Sequence, residues 1–175
     1  EAQPKYLNSP EGPAFVKRSV LYGWGRARTA VRRGLPVMVV EGYMDVIAVA
    51  SSGVAAAVAP LGTALGEDQL RLLWKLSDEP VLCFDGDKAG QTAAQRAIER
   101  VLPLLEPGRS VRIAVLPEGQ DPDDILREKG PDGLRRILVA ATGLLDSLWA
   151  SKVVDYQLDN PRTQAGAKAA FWQDM

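Results

Sequence analysis

Six acids stand where they could hold a metal ion: Glu41, Asp45, Asp85, Asp87, Asp121 and Asp123. Asp85-Gly86-Asp87 is the most pointed group. In an extended stretch, residues two apart face the same way and a glycine between them relaxes the turn, so both carboxylates can share one cation. The chain has no histidine and one cysteine, Cys83. That excludes imidazole acid–base catalysis, serine–histidine triads and histidine-containing zinc sites. Hard oxygen ligands suit Mg2+ or Mn2+, which keep several waters and bridge to phosphates. Such ions stabilise charge developing on a phosphate and activate an attacking hydroxyl. The chemistry indicated is phosphoryl or nucleotidyl transfer.

Each acid also has a plainer reading. Asp121-Pro122-Asp123-Asp124 is how a helix starts, with Asp as N-cap, Pro at the first helical position and acids in the first turn. Spacing alone does not separate capping from metal binding at Asp121 and Asp123. Asp45 has the same ambiguity after Gly42, Glu41 can be an acid at a solvated loop mouth, and Asp85 with Asp87 can be a turn. Convergence on one edge favours metal.

The elements that must create that edge are read from hydrophobic periodicity. Residues 36–40 are a β-branched run, and 45–52 repeat with helical period before Gly53, a C-cap. Residues 54–58 form a second apolar run and 67–76 an amphipathic helix with acids in its first turn. A third strand spans 81–84, an Ala-rich helix 88–105, and a fourth strand 111–116. Strands alternating with helices through short connections predict an α/β fold with a doubly wound, mainly parallel four-stranded sheet. Function in such a sheet gathers at the carboxyl ends of the strands. Glu41 ends the first strand, Asp85 and Asp87 the third, and Asp121 and Asp123 follow the fourth. After Pro117, residues 121–129, 133–141 and 144–156 read as helices with no further strand.

The 175 residues are 46% hydrophobic, as expected of a globular protein, and no apolar run approaches a membrane span. A cytoplasmic location without membrane contact is expected. Cys83 lies in an apolar run and reads as a buried, inert thiol. Net charge is −1, yet residues 1–35 hold seven Lys/Arg against two acids, an excess of five positive charges that leaves the remainder at −6. A basic arm on an acidic body suits a polyanion held by one part while the acids bind a cation; the plain alternative is a solvated basic helix face. Gly23-Trp24-Gly25 begins like a dinucleotide fingerprint but lacks the third glycine and is expected to lack a preceding strand. No Walker-type phosphate loop occurs. The start without Met and a helix-like end over 164–175 suggest a piece of something longer.

Two motifs now read together. Glu41-Gly42-Tyr43-Met44-Asp45 and Phe84-Asp85-Gly86-Asp87-Lys88-Ala89-Gly90 resemble the paired Glu and Asp-x-Asp motifs of TOPRIM domains, shared by bacterial primases, topoisomerases and some nucleases. Lys5-Tyr6-Leu7-Asn8-Ser9-Pro10, Leu61-Gly62-Thr63-Ala64 and Leu116-Pro117-Glu118-Gly119-Gln120-Asp121-Pro122-Asp123-Asp124 resemble, in order, the bacterial replicative primases. The resemblance implies RNA primer synthesis on a single-stranded DNA template: a ribonucleotide 3′-hydroxyl attacks the α-phosphate of an incoming NTP and pyrophosphate leaves. It implies Glu41, Asp85 and Asp87 as catalytic acids, with Asp45, Asp121 and Asp123 completing the metal ligands. Lys5, Asn8 and Lys17 match positions lining the template or nucleotide groove, and Lys88 is grouped with them. It divides the chain into the tail of a basic subdomain (1–35), the TOPRIM domain (36–117) and a partial helical subdomain (118–175). Zinc and the replicative helicase would be bound by domains absent from this chain, which is expected to be a monomer that primes poorly alone. The rival readings are a TOPRIM nuclease or topoisomerase fragment, for which none of Tyr6, Tyr22, Tyr43 or Tyr156 is evidently placed as nucleophile, and a non-catalytic nucleic-acid-binding module.

Overall fold

Continuous apolar runs set the sheet in the computed structural model, which describes Gly12, residues 16–61 and residues 64–155. The strands are β1 (Leu21–Tyr22), β2 (Val37–Val39), β3 (Ala56–Pro60), β4 (Val81–Phe84), β5 (Arg112–Val115) and β6 (Thr142–Gly143). The helices are α1 (Trp24–Val31), α2 (Tyr43–Ser52), α3 (Glu67–Leu73), α4 (Lys88–Val101), α5 (Pro122–Ala140) and α6 (Leu144–Asp155). One sheet runs in the order β1-β3-β2-β4-β5-β6. Its four central strands are parallel, and β1 and β6 pair antiparallel at the edges.

Crossover handedness places the helices. The chain steps from β2 to β3 in one direction, then back past β2 to β4 and on to β5. Right-handed crossovers therefore put α2 on one face and α3 and α4 on the other. Side chains follow the pleat. Val37, Val39, Val58, Leu82 and Ile113 pack with Leu70, Leu73, Ala97 and Ile98 of α3 and α4. Met38, Val40, Ala57, Cys83 and Ala114 pack with Val46 and Val49 of α2 and with Ile125, Leu134 and Leu138 of α5. Both sheet faces are covered, which is why the strands read as continuous apolar runs.

The four predicted parallel strands are present, and two corrections apply. The sheet has six strands rather than four, and a strand does follow Pro117. β1 and β6 are two residues each, too short to carry a periodicity. β1 also precedes Gly23, so the reasoning that no strand stands before Gly23-Trp24-Gly25 is wrong; the fingerprint still fails on Arg28, where its third glycine would be. The predicted breaks near residues 130–133 and 142–143 are real: α5 contains Gly130 at φ 63° followed by Pro131, and Arg112 donates to the carbonyls of Val139 and Ala141 at its end.

A buried glutamine ties the basic segment to this frame. Gln69 accepts from Gly66 N and donates to the carbonyls of Lys17 (3.0 Å) and Val20 (2.9 Å). Fully buried, it satisfies every bond an amide of this kind needs. It holds the short 3-10 turn Lys17–Ser19 at the carboxyl end of β3, just before β1.

Candidate metal centre

β2 and β4 are neighbours whose crossovers leave in opposite directions, so the crevice outside their carboxyl ends is the topological switch point of the sheet. Glu41 follows β2 and Asp85 follows β4 there. They touch: Asp85 N donates to Glu41 Oε1 at 3.3 Å. The loop after β5 closes on the same place. Gly86 N donates to the Gln120 carbonyl, and Gly119 N donates to the Gly86 carbonyl. That double link carries Asp121 to the side of Asp85.

Glycine makes this closure possible. A Cβ on Gly86 would lie 1.7 Å from the Pro117 carbonyl oxygen, and one on Gly90 would lie 2.2 Å from the Asp85 carbonyl oxygen. No side chain fits either gap. Gly86 was expected to relax a turn and in fact permits a loop-to-loop contact; Gly90 was not singled out, and only its place one turn into α4 could have hinted at it.

Acids hydrogen-bond the starts of three of the helices that begin at this edge, α2, α4 and α5. Asp45 Oδ2 accepts from Gly42 N at the start of α2. Asp87 Oδ1 accepts from Gly90 N at 2.7 Å, and Asp121 Oδ1 accepts from Asp124 N at 2.7 Å. The capping reading of Asp121 and Asp45 is therefore structurally real, and Asp87 is a cap as well. Each carboxylate keeps oxygen lone pairs beyond those bonds. Asp123 is exposed in the first turn of α5.

Asp85 is different. Its side chain caps nothing, and its buried Oδ1 has no hydrogen-bond partner. Desolvation first, then the charges of Glu41, Asp45, Asp121 and Asp87, push its carboxyl up to about 7. Asp45 rises to about 6, again mainly from burial, with Asp121 and Asp123 adding and the Gly42 hydrogen bond opposing. These mutual influences bring Glu41, Asp45, Asp85, Asp87, Asp121 and Asp123 into one electrostatic unit. Repelling carboxylates with an orphaned buried oxygen are what a bound cation would relieve. Among the described residues no three carboxylates form a ready-made cage. An open set of hard oxygens fits Mg2+ or Mn2+, which hold waters and substrate oxygens beside one or two carboxylates.

Of the basic residues, Lys88 is exposed as the first residue of α4 beside Asp87, and Lys17 lies on the turn held by Gln69. Lys5 and Asn8 lie outside the described residues. Cys83 is buried, and burial with nearby carboxylates pushes its thiol up, so it stays protonated. Trp149 of α6 is 55% exposed. Among the described residues no helix is long and apolar enough to cross a membrane.

Comparison with known proteins agrees with this geometry. Residues 36–115 match the Toprim domain family. The chain is 53% identical over 133 residues to the DNA primase of Pseudomonas aeruginosa, covering 76% of this chain and 20% of that protein. It resembles a solved DnaG catalytic core at TM-score 0.84 and 38% identity, covering 97% of this chain and 55% of that one. It resembles equally a DnaG primase catalytic domain bound to ssDNA, at TM-score 0.83, 38% identity, and the same 97% and 55% coverage. The chain thus spans about a fifth of the length of its Pseudomonas relative. A doubly wound sheet with acids at its switch point and this family match define a Toprim domain. The chain belongs to the bacterial DnaG-type DNA primases and corresponds to part of their catalytic core.

Proposed function

We propose that this chain carries the metal-binding side of a primase active centre, one that adds ribonucleotides to a growing RNA primer on a single-stranded DNA template. The observation that carries the reading is Asp85: half-buried, unpartnered at Oδ1 and raised to about 7 amid five other acids at the switch point. A structural acid would be capped, paired or solvated; this one is held costly in the absence of a cation. A solved relative bound to ssDNA supports the choice of template.

Mg2+ or Mn2+ bound here would neutralise charge on the triphosphate and lower the pKa of the attacking hydroxyl. Asp85 and Asp87 are assigned as ligands with Asp121 and Asp123 beside them, and Glu41 as the group that positions the ion or accepts the hydroxyl proton. Asp45 holds the α2 start and, by its charge, strengthens the pull on a cation. Lys5, Asn8, Lys17 and Lys88 are assigned to the triphosphate and template phosphates by the family resemblance. The 1–35, 36–117 and 118–175 division, the cytoplasmic location, and zinc and helicase contacts through segments outside this chain follow the same family reading.

Ribonucleotide incorporation on single-stranded template in Mg2+, by a chain extended at its N-terminus, tests it. Asp85→Asn should abolish incorporation while leaving the fold intact by circular dichroism. Undiminished synthesis by that variant would overturn the assignment.

A further inference from the structure

Two polar side chains are buried among the described residues, Asp45 and Gln69, and Gln69 is fully so. An amide in that setting costs stability unless its donors and its acceptor are used. The acceptor is used locally: Oε1 takes the Gly66 N–H at 2.9 Å and closes the start of α3. Glu serves a helix start equally well in that role. The amide nitrogen has a different task. It donates to the carbonyls of Lys17 at 3.0 Å and Val20 at 2.9 Å, partners 52 and 49 positions away in sequence. An ionised carboxylate has no hydrogen to give them, so this second contact is what requires Gln rather than Glu.

The segment held in this way has little else to fix it. The 3-10 turn Lys17–Ser19 has no buried residue and no side-chain cap. Its backbone bonds, Ser19 N to the Val16 carbonyl and Val20 N to the Lys17 carbonyl, are internal to the turn. Gln69 clamps the first residue of the turn and the residue that leads into β1, while Ser19 Oγ adds a 3.4 Å contact to Asp68 of the same helix. Leu21 pairs with Pro60, the last residue of β3, so the clamp fixes the turn on the carboxyl edge of the sheet, where Glu41 and Asp85 also stand.

We infer that Gln69 is a positioning residue for nucleotide addition: by pinning the Lys17 and Val20 carbonyls it fixes the backbone from which Lys17 reaches a substrate phosphate. The inference rests on the assignment of Lys17 in the reading above. A lysine is a point charge on a flexible four-carbon stem, so its reach is set by where its backbone is held. Without the clamp the ammonium samples more positions, and the loss falls on substrate binding rather than on the metal or the chemical step. A glutamine that served the fold alone would act on stability and leave substrate binding as it is.

The test is steady-state ribonucleotide incorporation by a chain extended at its N-terminus, with KM measured separately for NTP and for template. Lys17→Ala should raise one of these KM values about tenfold, as expected for loss of a charge-assisted phosphate contact. Gln69→Met, close in size and without an amide, should raise the same KM about threefold to tenfold with kcat within about twofold of the parent. Gln69→Glu, which keeps the acceptor at the start of α3, should not restore it. The double variant Lys17→Ala with Gln69→Met should be no worse than Lys17→Ala alone, because the clamp acts through Lys17. Mn2+ binding should match the parent in all of them.

A normal KM in folded Gln69→Met, or additive effects in the double variant, overturns the inference and leaves Lys17 as assigned. Unfolding of both Gln69 variants by circular dichroism overturns it too, making the residue part of the fold alone. Unchanged KM values in Lys17→Ala remove the assignment of Lys17 and the inference with it, whereas the metal reading is decided separately by Asp85→Asn.

Discussion

The mouths of β4 and β5 each carry aspartates around a helix start and differ in how those aspartates are held. After β5, Asp121 caps α5 and Asp124 returns the bond at 3.4 Å, so the local backbone accounts for both. After β4, only Asp87 has that role. Asp85 is fixed by the strand end, by Glu41 accepting from its N–H, and by the Gly86 contact with the neighbouring loop. One mouth is acidic because helices start well on acids. The other holds an acid for which the fold supplies no partner, and that difference marks the chemistry.

The strongest way to break the comparison is to remove the Asp85 charge. Asp85→Asn should lower nucleotide incorporation by at least about a hundredfold, as expected for a metal ligand, without loss of thermal stability in metal-free buffer. A large fall in melting temperature would instead make Asp85 structural. Next comes Gly86→Ala, whose methyl group meets the Pro117 carbonyl. It should cost about 3 kcal/mol by denaturant unfolding, an overpacking penalty, and separate the two mouths. A neutral result would mean the loops are not packed together in solution.

The third test uses pH. The folded-state carboxyls of Asp85 and Asp45 lie at about 7 and about 6, above the ordinary 3.8 expected when unfolded. The folded protein therefore holds protons more tightly across that window. Their contribution to stability is full below about pH 4 and is lost as pH rises through 6 and 7. Metal-free melting temperatures should carry that downward component between pH 5 and 8, and Asp85→Asn should flatten it; an unchanged profile in the variant contradicts the shift. A smaller effect separates the caps: Asp87→Ala and Asp121→Ala should each cost about 1 kcal/mol of stability, whereas Asp85→Asn should not. Smallest of all, Arg127→Ala removes an exposed ion pair to Asp124 and should leave the melting temperature unchanged.

Much of this architecture was legible before any coordinates. The runs at 36–40, 54–58, 81–84 and 111–116 became the four parallel strands because two-faced burial leaves an unbroken apolar signature. The carboxyl-edge position of Glu41 and Asp85 followed from their places at strand ends, whereas the switch point between β2 and β4 depends on the strand order. What stayed hidden depends on contacts between distant segments. β1 and β6 exist only through pairing with Ala59, Pro60, Ile113 and Arg112. The approach of Gly86 to Pro117 spans thirty-one positions, and no local pattern encodes it. Gln69 could have been suspected from Gly66-Glu67-Asp68-Gln69, which has the Gln three residues after a helix start, as a capping box requires. Its second task, holding Lys17 and Val20, could not. At Asp121 the capping bond uses one carboxylate oxygen, Oδ1, and leaves the other outside the cap.

The most direct measurement is calorimetric titration of Mn2+ into the parent chain and into Asp85→Asn at pH 7.5. Saturable binding in the parent, lost or weakened at least about tenfold in the variant, is the predicted result. Equal binding by both proteins would contradict the claim that Asp85 is at the centre of the metal site.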